Sequence, residues 1–100
     1  MNDPKLAITK IEELMKASRE SENLFEHAAA FAAISVLIDQ LDQYFEEKAP
    51  YAGENVSRLR SHTAAMLGYD ITNNHSPDQH YSWSLAAISG LEGTLRRSTT

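Results

Sequence analysis

The chain has 100 residues, with 42% apolar and 23% charged side chains, four histidines, no cysteine and a formal net charge of −5. That is the size and composition of one folded domain, and it excludes a disordered chain, a disulfide framework and every thiolate site. Residues 1–50 carry five Lys/Arg against ten Asp/Glu, whereas residues 51–100 carry four of each, so nonspecific binding to a phosphate backbone is disfavoured.

Met1-Asn2-Asp3-Pro4 lacks the basic and apolar pattern of a signal peptide. The apolar-rich run from Ala28 to Ile38 is broken by Ser35 and is short for a membrane span. A cytoplasmic protein without a membrane partner is expected.

Asp3 and Pro4 read as the N-cap and first position of a helix over 4–18, with Leu6, Ile8, Ile11, Leu14 and Met15 at helical spacing. Its apolar stripe is thin. Residues 1–21 are therefore expected to pack loosely on the rest or to exchange between subunits.

Residues 22–48 form the strongest pattern. Phe31, Ile34, Ile38, Leu41 and Phe45 step by three and four, and Leu24, Ala28, Ala32, Leu37 and Tyr44 widen the stripe. The alanines at 28, 29, 30, 32 and 33 favour a helix and permit close approach by another. Ala49-Pro50 ends the helix.

A third helix is expected over 51–67, with Ala52, Val56, Leu59, Thr63 and Met66 inward and Gly68 as its stop. Residues 69–75, with Asn73-Asn74, read as a loop. Ser76, Pro77 and Gln79 then announce a fourth helix, whose expected core stripe is Tyr81, Leu85, Ile88, Leu91 and Leu95. Gly90, Gly93 and Ser89 give it a smooth patch. The fold class is all-α: a small bundle of three to four helices in a single domain over 1–100, with one long central helix.

Chemistry is sparse. No nucleophile elbow or phosphate-binding glycine loop occurs. The carboxylate pairs Glu12-Glu13, Asp39 with Asp42, and Glu46-Glu47 read as a solvated face. His75 and His80, with Asp78 and Asp70, offer metal donors, but their spacing sets no common geometry. They read as loop and cap residues, so no catalytic residue, metal or cofactor is expected. His27 reads as a boundary histidine with one ring nitrogen hydrogen-bonded.

The stretch Arg58 to Gly68 resembles the helix of histidine phosphotransfer domains, which are small helical bundles. The resemblance implies a phosphoacceptor role for His62 and a response regulator as partner. Thr63 matches the family's pattern; Ala64-Ala65 stand in place of Leu-Lys, and Met66 in place of glycine. The missing lysine is the residue that would stabilise phosphate.

The leading expectation is a non-enzymatic, homodimeric interaction module. Its contact residues are expected to be Phe31, Ile34, Ile38, Leu41 and Phe45, as core or dimer seam, and Trp83 as a partner surface. Phosphotransfer through His62 is the first alternative. A small DNA-associated regulator using Arg58, Arg60, Arg96 and Arg97 is the second.

Overall fold

The computed structural model describes residues 3–69 and 75–98. It contains four helices: α1 (Pro4–Arg19), α2 (Leu24–Lys48), α3 (Gly53–Met66) and α4 (Pro77–Ser98), with a 3-10 turn at Pro50–Ala52. Each helix packs on the next, and α4 closes against α1. Cross-helix pairs fix the directions. Asp39 bonds Arg60 between α2 and α3, His62 meets His80 between α3 and α4, and Arg19 meets Asp78 between α1 and α4. The order is therefore up, down, up, down, the arrangement that short connections favour.

The helix starts follow local chemistry. The Asp3 carboxylate accepts from the amides of Lys5 and Leu6, and Pro4 occupies the first turn. Asn23 caps α2 in the same way, accepting from Phe25 and Glu26; α2 thus starts two residues later than its apolar pattern suggests. Residues 50–52 form a tighter turn before α3 begins at Gly53.

At the end of α3, the Tyr69 amide donates to the Ala64 carbonyl and the Gly68 amide to that of Ala65. This double closure needs a left-handed residue, and Gly68 supplies it at φ 88°. Tyr69 then stacks on Phe31 at 4.4 Å, pinning the exit of α3 to α2.

The core runs through all four helices: Ile8, Ile11 and Met15; Ile34, Ile38, Leu41 and Phe45; Val56 and Leu59; Ile88, Leu91 and Leu95. α1 is thus docked in its own chain by three large buried side chains. At the helical rise α2 extends about 38 Å, against about 24 Å for α1 and about 21 Å for α3. Its neighbours are too short to flank its whole length.

The expected stripe of α4 is rotated. Leu85 is 37% exposed and Tyr81 half-buried, while His80, Ser84, Ala87 and Thr94 face inward beside Ile88, Leu91 and Leu95. The three polar members break the apolar periodicity in the sequence. Ser84 and Thr94 satisfy their hydroxyls within the helix, on the carbonyls of His80 and Gly90. The sequence-predicted Asn73-Asn74 turn and the metal donor Asp70 lie outside the described residues.

Candidate functional site

The antiparallel order brings the end of α1, the start of α2, the end of α3 and the start of α4 to one end of the bundle. His27, His62, His75 and His80 all lie there. His27, on the first turn of α2, donates from Nε2 to the carbonyls of Ser18 and Ser21, at 3.0 and 2.6 Å. A carbonyl only accepts, so this ring nitrogen carries the proton. The contact ties the α1–α2 connection to α2.

The other three histidines gather around Trp83. His62 Nδ1 lies 3.1 Å from His80 Nδ1. The Trp83 ring centre stands 5.2 Å from that of His62, 5.4 Å from His80 and 4.8 Å from His75. His80 is 1% exposed, and its Nε2 is buried with no hydrogen-bond partner among the described residues. The expectation that His80 is a loop or cap residue is corrected: it sits on the inward face of the first turn of α4. Position alone decides this, because a histidine three residues past Pro77 reads equally well as exposed.

Burial, followed by the His80 ring and then Arg58, holds His62 below the ordinary histidine range. His62 is half-buried and its Nδ1 is occupied by an imidazole. Arg58, one turn before it, is engaged with Glu54.

Ile34, Ile38, Leu41 and Phe45 lie within the chain's own core. Phe31 is half-buried against Tyr69. None of the four buried side chains is left to face a second subunit. Trp83 is half-buried in the histidine cluster.

The outward pole of α2 is apolar too, a second stripe that the core periodicity conceals in the sequence. Phe25 is 87% exposed, Leu24 79% and Val36 56%. Phe25, Ala29, Ala32 and Val36 fall within one narrow sector, opposite Ile34, Ile38 and Leu41. Beside that sector, a shallow, mostly apolar groove between α1 and α2 is lined by Leu14, Ala17, Ala29, Ala30 and Ala33, with Ser18 and Glu26 at one end.

Further along, the pole turns polar at Asp39, Gln43 and Glu47. By length and composition α2 is apolar enough to cross a membrane, in contrast to the short run read from the sequence. Its opposite side is the core of the bundle.

The remaining candidates are dispersed. Arg58 and Arg60 are held by Glu54 and Asp39. Glu12 is raised above the usual carboxylate range by burial first and Glu92 second. Among the described residues, no group of three or more His, Asp or Glu side chains is placed to hold a metal. Compared with known proteins, the chain matches no family model, no curated protein and no solved structure.

Proposed function

We propose that the chain is a non-enzymatic interaction module that acts as a homodimer, with the outward pole of α2 as the contact. The observation that carries this reading is that the first half of α2 is apolar on both sides while only one side is covered. A helix that is apolar all round is a buried helix, and a phenylalanine with 87% of its surface in water is a strong demand for a partner.

The occupant is a second copy, because the pole is complementary to itself. An antiparallel pair with its two-fold axis between Ala29 and Ala32 sets Phe25 of one protomer over Val36 of the other. Alanine meets alanine at the centre, and small side chains there allow the helix axes to approach to about 8 Å. Phe25 also has space to lie along the groove that the alanines open. Ile34, Ile38, Leu41 and Phe45, expected from the sequence as core or dimer seam, are buried in the chain's own core beneath this pole.

Light scattering on a sizing column tests it. Twice the 11.2 kDa chain mass is expected, and Phe25→Asp and Val36→Asp return the monomer mass with unchanged helical circular dichroism. Both side chains are solvent-exposed, so neither substitution disturbs the core. A wild-type monomer at high concentration overturns the reading, as does a wild type that floats with lipid vesicles instead of pairing.

A further inference from the structure

We infer that the His62–His80 pair is a proton-operated latch between α3 and the first turns of α4, closed when the pair is neutral and released by acid. The two Nδ1 atoms face each other at 3.1 Å, so one must carry a proton and the other a lone pair. The surroundings decide which. If His80 were the acceptor, its proton would sit on Nε2, a buried N–H without a partner, and a buried donor left unpaired carries its full desolvation penalty. His80 therefore donates from Nδ1, and His62 accepts on Nδ1 and carries its own proton on Nε2.

In that state the pair has no good place for another proton. On His62 Nδ1 it would face the N–H of His80 and turn a hydrogen bond into two opposed donors. On His80 Nε2 it would create a buried charge without an acceptor. Glu54 and Arg58 lie on α3 itself and are paired with each other. The Arg60–Asp39 pair links α3 to α2. From the α1 side, Arg19 engages Asp78 and covers the Tyr81 ring. His75 packs on His80 and Trp83 from the segment before α4. Among the described residues no carboxylate bonds His62 or His80, so none of them rewards a charged pair.

The sign follows from His62, which is held below 6.5 in the fold. A histidine with a lowered folded value binds its proton more readily when released. Its contribution to stability is present above 6.5 and is lost as pH falls through the lowered value. The loss is local, because the pair clasps one end of the α3–α4 interface while Leu59, Ile88 and Leu91 hold the remainder.

The experiment uses amide hydrogen exchange on the Phe25→Asp background, so that its outcome does not depend on dimerisation. After correction for intrinsic rates, exchange over residues 77–83 is expected to rise about tenfold between pH 7.5 and pH 5.5, with much less change over residues 34–45. His62→Asn offers an amide oxygen to His80 and does not titrate, and it should reduce that rise to about threefold or less. Equal rises in the two proteins overturn the latch, as does a flat wild type. Ring-nitrogen NMR of the unsubstituted chain is an independent readout. It should find His80 protonated on Nδ1 and His62 on Nε2 at pH 7.5, and the reverse assignment overturns the proposal.

Discussion

Two residues on the buried side of the bundle show how the interior treats polar atoms. Thr63 is buried, and its hydroxyl donates to the carbonyls of Leu59 and Arg60, at 2.8 and 3.1 Å. Those carbonyls lie within α3, so Thr63→Val removes a donor without stranding an acceptor, and the shapes match. It is expected to cost about 1 kcal/mol or less in a denaturant titration. Ile38 has the opposite character. It is buried among aliphatic side chains, and Ile38→Asp strands a charge there; loss of the cooperative thermal transition is expected. The contrast with Phe25→Asp is the sharpest residue-level check, since Ile38 and Phe25 lie on opposite faces of the same helix, one buried and one 87% exposed. Thr63 was legible as a polar member of the α3 stripe because its apolar neighbours hold their spacing. His80 was not, because the inward face of α4 mixes His80, Ser84 and Thr94 with apolar residues, and the eye follows Leu85 instead.

Among the helices, the ends were easier to read than the faces. Pro4, Pro50, Gly68 and Pro77 act through backbone geometry alone, so each marks its boundary whatever packs nearby. Faces depend on the partner helix, and α2 has apolar residues on opposite sides, so periodicity found the core stripe and hid the outward one. The two glycines inside α4 separate propensity from packing. At Gly93 the nearest atoms to an added methyl belong to the guanidinium ends of Arg97 and Arg96, at 3.4 and 3.7 Å. Gly93→Ala is expected to stabilise by about 0.5–1 kcal/mol. At Gly90 the methyl would lie 2.5 Å from Asn55 Nδ2 across the α3 interface. The same propensity gain is there offset by displacing Asn55, so Gly90→Ala should gain less than Gly93→Ala and recover the difference when combined with Asn55→Ala. A double-mutant cycle on the two positions measures the coupling. Equal gains at both glycines would mean that Asn55 moves without cost.

Across the whole molecule, charge and apolar surface are concentrated in the same half. The excess of acidic side chains falls in residues 1–50, the half that includes α1 and α2. The pairing proposed for α2 thus brings two acidic surfaces together around an uncharged centre. Arg60 neutralises Asp39 at the edge of that contact, while Glu22, Glu46 and Glu47 remain exposed in each copy. Burial of Phe25 and Val36 is not weakened by added salt, but repulsion between exposed carboxylates falls once the screening length drops from about 14 Å at 50 mM to about 4 Å at 500 mM. The dimer is therefore expected to tighten severalfold over that range, as read from the concentration dependence of the scattering mass. A contact held by ion pairs would behave in the opposite way. Weakening with salt would move the interface off the outward pole of α2 and onto the arginines of α3 and α4, the part of the chain where the charges balance.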